Sequence, residues 1–142
     1  MYHIIKSKQK GGKNMPVVEV QIGDIVTAIT KTGKYIGEVT EDRNSAYLVK
    51  ILAVLKHPMQ GDLHNPKQTD VAIFHQRRAL SFREQTNVPK NMVKPYEGEV
   101  PEYQASLKEA VATMKVTLLE IDNEFNRFSL QQLEELEADY FK

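Results

Sequence analysis

The side chains best suited to chemistry crowd into one stretch. His57, Asp62, His64, Asp70 and His75 lie within it, and imidazole and carboxylate groups together can hold a divalent metal. The spacing argues against that use. Six residues separate His57 from His64, a gap that suits neither one helix face nor a hairpin clamp. His57 also precedes Pro58, a pairing that reads as a turn device. A buried or loop-ordering histidine explains the pattern without a metal, so no metal and no cofactor are assigned. The fourth histidine, His3, stands apart from the rest.

Nucleophilic catalysis has less support. The chain contains no cysteine, which removes thiol catalysis, zinc–thiolate sites and disulfides, and points to a reducing compartment. It has no G-x-S-x-G elbow, no Walker loop and no G-x-G-x-x-G turn. The acidic residues of the C-terminal third read as solvated helix faces rather than paired acids and bases. The expectation is a protein that is not an enzyme.

Two binding readings remain. Arg77 and Arg78, with Arg83, Lys67, Phe74 and Tyr96 in the same half, could contact a nucleic acid through phosphate pairing and stacking. The alternative is that the arginines flank a strand and pair with Glu84 or C-terminal carboxylates. Residues 57–69 form a patternless run of a length that often serves as a binding loop, stiffened by Pro58, Gly61 and Pro66. A loop merely wrapped over the body of the protein has equal standing. If the loop binds, replacing Gln60-Gly61-Asp62 with alanines should weaken partner capture and leave thermal stability nearly unchanged.

The elements that must position these residues read as β first and α later. Ile25–Thr30, Tyr35–Thr40 and Ala46–Leu55 are strand-like, with turns at Lys31-Thr32-Gly33-Lys34 and Glu41-Asp42-Arg43-Asn44. Gly33 is expected to supply a positive φ in the first turn. Val71–Phe74, Ala79–Phe82 and Met92-Val93 are candidates for further short strands. Together with Gly23-Asp24 and the Gly37 interruption, they suggest a small antiparallel SH3-like β-barrel. Ala46–Leu55 is apolar on both faces, so its second face needs cover from the chain's own helices or from a partner.

Tyr103, Leu107, Val111, Met114, Leu118 and Ile121 recur at helical spacing, with Pro101 placed in the first turn. A second helix is expected from Ser129, with Gln132 completing a capping box and Phe128 and Leu133 a staple. Its apolar stripe is Leu130, Leu133, Leu136 and Tyr140. The fold class is thus α+β: residues 16–96 a barrel, 97–142 a C-terminal helical hairpin packed on it. Dimerisation through the helices stays open.

Charge follows the same division. Residues 1–96 carry 15 basic and 8 acidic side chains, and residues 97–142 carry 4 and 11, giving +7 and −7. The acidic half disfavours nucleic acid. Residues 1–15 fit nothing downstream. Lys10-Gly11-Gly12-Lys13-Asn14 before Met15 could be encoded by a purine-rich ribosome-binding sequence, which would make Met15 the initiator; the other reading is a basic tail. No stretch reaches the roughly 20 apolar residues that span a bilayer, so no membrane insertion is expected and a cytoplasmic location is the natural reading.

One stretch carries a family resemblance. His57-Pro58-Met59-Gln60-Gly61-Asp62-Leu63-His64-Asn65-Pro66-Lys67-Gln68, then Phe74-His75-Gln76-Arg77-Arg78-Ala79-Leu80, Met92-Val93-Lys94-Pro95-Tyr96 and Tyr140-Phe141-Lys142 resemble the kinase-associated protein B family of spore-forming bacilli. The likeness spans residues 22–142. It implies an accessory protein of a membrane-bound sporulation sensor histidine kinase, acting by binding and biasing that kinase within the phosphorelay. Some members are labelled lipoproteins, but these residues offer no cysteine for lipidation. His57, Gln60, Asp62, His64, His75, Arg77 and Arg78 are the surface candidates for the partner. The alternative is a small-barrel nucleic-acid or ribosome-associated binding protein.

Overall fold

The structure, a computed structural model, describes residues 20–61 and 75–142. Within them, strands β1 (Ile25–Thr30), β2 (Gly33–Arg43), β3 (Ala46–Lys56), β4 (Gln85–Pro89) and β5 (Val93–Pro95) precede helices α1 (Tyr103–Leu119) and α2 (Glu124–Tyr140). Neighbouring strands pair antiparallel in the order β4-β3-β2-β1-β5. No ladder joins β4 to β5 among the described residues, so the expected closed barrel is an open sheet. A single 3₁₀ turn, Lys90–Met92, carries the chain from one edge strand to the other.

The hairpins form where the sequence turns, with different residues taking the strain. Thr30 pairs with Gly33, so the β1–β2 loop is Lys31-Thr32 alone, and these two adopt φ of 48° and 67°. Such a turn needs positive φ at both central positions. Gly33 is a glycine for another reason: a Cβ there would lie 2.8 Å from the Tyr35 hydroxyl and 3.1 Å from Pro58 Cγ. Thr32 holds its unfavourable conformation while its Oγ1 accepts from the Met59 N–H at 2.9 Å. The second turn falls at Asn44-Ser45 rather than at residues 41–44. Asn44 takes φ of 66°, and its N–H is held by Asp42 Oδ1 at 3.2 Å.

Strand β2 pairs with β3 through three register shifts, one of them between Ile36 and Gly37. A Cβ on Gly37 would come within 2.5 Å of Val49 Cγ1 and 2.6 Å of the Lys50 carbonyl oxygen, so the bend requires glycine. The expected strand over Ala79–Phe82 is absent because tyrosine hydroxyls claim its backbone groups, as described below. The strand pairing with β3 is β4, whose Asn87 and Pro89 suit a sheet edge. The candidate strand at 71–74 lies outside the described residues.

The core gathers Val26 and Ala28 from β1, Tyr35 and Val39 from β2, and Val49, Ile51 and Val54 from β3, against Leu107, Ala110, Val111 and Leu133 of the helices. Helix α1 lies on β3 and supplies the second-face cover that its two-sided pattern called for. Past Ile51, which bonds Arg83 and Glu84, β3 outruns β4. There Ser106 of α1 takes over, its Oγ accepting from the Val54 N–H at 2.9 Å and donating to the Tyr103 carbonyl at 2.8 Å.

Glu102 caps α1 by accepting from Ala105 N–H, with Pro101 just before the cap. Helix α2 starts at Glu124, not Ser129. Asn123, in extended conformation, accepts from Asn126 N–H at 2.7 Å and is the better-placed cap. Ser129 is consequently an interior helix residue, and buried. Leu133 and Leu136 form the heart of the expected stripe.

Candidate functional site

The described part of the idiosyncratic stretch, 57–61 and 75–80, folds into a corner fastened by side chains. Gln60 does most of the fastening. Its Nε2 donates to Arg77 O at 2.9 Å and Pro58 O at 3.1 Å, and its Oε1 accepts from Arg77 N–H at 2.8 Å. A single carboxamide thereby satisfies both backbone groups of Arg77, as a strand partner would. Beside it, the Gly61 N–H donates to His75 O at 2.9 Å, with Gly61 at φ of 108°.

Three tyrosines from three elements hold the backbone of Ala79 and Leu80. Tyr140 Oη of α2 accepts from Ala79 N–H at 2.9 Å, and Tyr35 Oη of β2 accepts from Leu80 N–H at 3.2 Å. Tyr103 Oη of α1 donates to Leu80 O. His57 completes the set. Its Nδ1 faces Pro58 O at 3.0 Å, and a carbonyl can only accept, so Nδ1 carries the proton. Nε2 is then an acceptor for the Tyr140 hydroxyl at 2.8 Å. A directed chain results, from Ala79 N–H to Tyr140 to His57 to Pro58, with each proton used once.

Electrostatics fix these protonation states. Burial holds the His57 imidazole below its ordinary value, with the bond to Pro58 pulling weakly the other way. Burial pushes the Tyr35 phenol up to about 12, against the opposing bond from Leu80. It raises Tyr103 and Tyr140 as well. Neutral phenols and a neutral imidazole make good hydrogen-bonding struts. The phenols stay protonated near neutral pH, and the free lone pair of His57 is taken up by the Tyr140 hydroxyl. Among the described residues no group of three His, Cys, Asp or Glu side chains is placed to hold a metal.

The candidate residues therefore divide. His57 and Gln60 are buried, which corrects the surface position expected for them; desolvation of their polar groups is offset by the bonds just described. Asp62 and His64 lie outside the described residues. His75 and Arg78 are exposed, and Arg77 is half-buried with an Nε that has no hydrogen-bond partner among the described residues. Arg78 is engaged by the C-terminal helix: its Nη2 lies 2.6 Å from Asp139 Oδ2 and its guanidinium 5.0 Å from the centre of the Tyr140 ring. For Arg78 that pairing matches one part of the alternative raised for the arginines, while no strand lies beside it and Arg77 makes no such pair among the described residues. Gln76 reaches α2 through Gln132 and Glu135.

Sequence reasoning missed the tyrosines as a set. Tyr35, Tyr103 and Tyr140 each stand in a run read as apolar. The available signal was the hydroxyl itself, because a buried tyrosine must find a partner for it.

Comparison with known proteins places this architecture. The family model described as Kinase associated protein B matches residues 30–141. The kinase-associated lipoprotein B of Bacillus subtilis (strain 168) is 55% identical over 121 residues, which cover 85% of this chain and 94% of that protein. The crystal structure of kinase-associated protein B from Bacillus cereus superposes with a TM-score of 0.74 at 51% identity, covering 86% of this chain and 98% of that one.

Proposed function

The chain belongs to the kinase-associated protein B family, and from that premise we propose that it is a non-enzymatic accessory protein that binds a sporulation sensor histidine kinase and supports its activity in the phosphorelay. The observation that carries the reading is the fastened corner. Its buried polar groups bond to one another, and His75 and Arg78 stand on its outer face. A surface ordered in advance loses little conformational entropy when a partner docks. The name of the family is that of an associated protein, in keeping with a binding role. On the fold, we read the strand order and the 3₁₀ turn between β4 and β5 as an SH3-like barrel left open. The nucleic-acid alternative is weakened because Arg78 already pairs with Asp139.

The test is affinity capture from a sporulating bacillus with residues 15–142 as bait, at low and high salt and with nuclease. No helix among the described residues is long and apolar enough to cross a membrane. A sensor histidine kinase identified by mass spectrometry under all conditions supports the proposal. Only ribosomal proteins or nucleic acid, lost with salt or nuclease, would sink it.

A further inference from the structure

The three tyrosines of the corner do not use their protons alike. Tyr140 donates to His57, and Tyr103 donates to Leu80 O. Tyr35 is 1% exposed, and its Oη accepts from the Leu80 N–H at 3.2 Å. Its phenol is neutral, yet the O–H proton meets no acceptor among the described residues. A buried donor left unmatched is costly, so this one is placed for an acceptor from outside that set. A second donor stands in the same position. Arg77 Nε is buried without a hydrogen-bond partner among the described residues, while Gln60 fixes the main chain of Arg77 beneath it.

Both residues line one cavity of about 220 Å³, and Lys31 of the β1–β2 turn and Arg78 of the corner line it with them. The two walls are tied together where Thr32 Oγ1 accepts from the Met59 N–H at 2.9 Å. The cavity has a sign. Every charged residue lining it among the described residues is basic. The carboxylates nearby are engaged elsewhere: Asp139 answers Arg78 from α2, and Glu84 Oε1 accepts from the Ser81 N–H. Lys31 and Arg77 have no ion pair among the described residues. The whole chain carries no net charge, so the attraction for an anion is local to this cavity.

Donors without acceptors fit an anion, and two unanswered cations fit a dianion. The donors arrive from the β1–β2 turn, from β2 and from residue 77, more directions than the two oxygens of a carboxylate satisfy. A phosphate monoester offers three acceptor oxygens and a charge of about −1.5 to −2. A nucleic-acid phosphate carries roughly one negative charge. We propose that this cavity binds the phosphoryl group of a phosphate monoester, with Tyr35 O–H, Arg77 Nε–H and Lys31 Nζ as its donors and Arg78 at its edge. The volume lies below the about 300–1,000 Å³ of pockets that enclose whole small molecules, so it takes the phosphoryl group and leaves the rest of the ligand outside. The inference goes beyond the accessory-protein reading and does not rest on it.

The probes are inorganic phosphate, a phosphoserine peptide and its unphosphorylated twin, each added to the full chain at low salt. Calorimetry gives the affinity, and the Arg77 Nε–H resonance in proton–nitrogen NMR gives the location. Phosphate should shift that resonance and slow its exchange with water. Lys31→Gln, at an exposed position, should weaken phosphate binding about tenfold with the melting temperature retained. Lys34→Gln is the same charge change on an exposed residue outside the cavity, and it should leave the affinity unchanged. Arg77→Lys keeps the charge but removes the Nε–H donor, so it too should weaken binding about tenfold. In Tyr35→Phe the rise in melting temperature that phosphate gives should shrink. A phosphoserine peptide bound at least about tenfold tighter than inorganic phosphate assigns the group to a modified protein. Phosphate bound as well as the peptide assigns it to free phosphate or a small ester, and either result supports the site. Equal affinity for the two peptides, an unmoved Arg77 resonance, or equal losses in Lys31→Gln and Lys34→Gln overturns the inference. So does tighter binding of a single-stranded oligonucleotide, which would return these arginines to the nucleic-acid reading.

Discussion

Gln60 holds the main chain of Arg77 from both sides, donating to its carbonyl at 2.9 Å and accepting from its N–H at 2.8 Å. Gln60→Ala would strand Arg77 O and Arg77 N–H and leave Pro58 O with only its bond from His57. A destabilisation of about 1–3 kcal/mol is expected by urea denaturation. This reverses the earlier expectation for Gln60-Gly61-Asp62, whose replacement by alanines should lower the melting temperature as well as any partner capture. Gln60→Glu should be worse than alanine at neutral pH, because a carboxylate would face two carbonyl oxygens, and the gap should narrow as acid protonates it.

The chain from Ala79 through Tyr140 to His57 makes a second test. Tyr140→Phe keeps the ring and leaves both the Ala79 N–H and His57 Nε2 without a partner, at a cost of about 2 kcal/mol. Its pH dependence has a definite sign. Folding depresses the His57 pKa below its ordinary 6.5, so the unfolded chain takes up the proton first. Stability should be fully present above that value and fall as pH drops through it. Asp139, held below the usual carboxylate range by the bonds from Arg78 and Lys142, adds a further loss at lower pH. In His57→Gln the first of these declines should vanish from the plot of denaturation midpoint against pH.

At the alkaline end the sign is opposite. Tyr35 is raised to about 12 and Tyr103 and Tyr140 are raised with it, so their contribution is complete below the ordinary value of 10. It is lost as pH climbs above that value, where the unfolded chain releases protons that the fold retains. Tyrosinate absorbance should therefore show a late step that coincides with loss of the circular dichroism signal. A smooth titration of every tyrosine in a still-folded chain would contradict this account.

Gly37→Ala and Gly33→Ala should differ in degree. At Gly37 a methyl group meets the Lys50 carbonyl oxygen at 2.6 Å, a backbone atom inside a paired strand, and a loss of about 3 kcal/mol is expected. At Gly33 the nearest atom is the Tyr35 hydroxyl at 2.8 Å, the tip of a side chain that can give way by releasing Leu80. The smaller loss there should be accompanied by faster hydrogen exchange at the Leu80 amide.

The first three strands, the first helix and the family were legible because each rests on local pattern: β-branched runs, helical spacing and an unusual loop sequence. The start of α2 was misjudged because Ser129 and Gln132 imitate a capping box, while Asn123 caps the helix from beyond an apparent staple. β4 was invisible because Asn87 and Pro89 make poor strand residues, and pairing with β3 overrides that preference. The buried roles of His57 and Gln60 depend on partners at 77 and 140, contacts far apart in the chain that no window of sequence displays. A polar loop residue reads as a surface residue until the backbone it serves is known.

The bond from Val54 N–H to Ser106 has a consequence for how the protein survives crowding. Beyond Ile51 the flank of β3 is a strand edge, and an open edge recruits other chains into intermolecular sheet. Ser106 occupies that donor, and α1 covers the apolar residues beside it. A Ser106→Val chain would fold with little change in helix content and yet be prone to fibril growth from β3. On this view the first task of α1 is to keep the exposed end of β3 from pairing with other chains in concentrated solution.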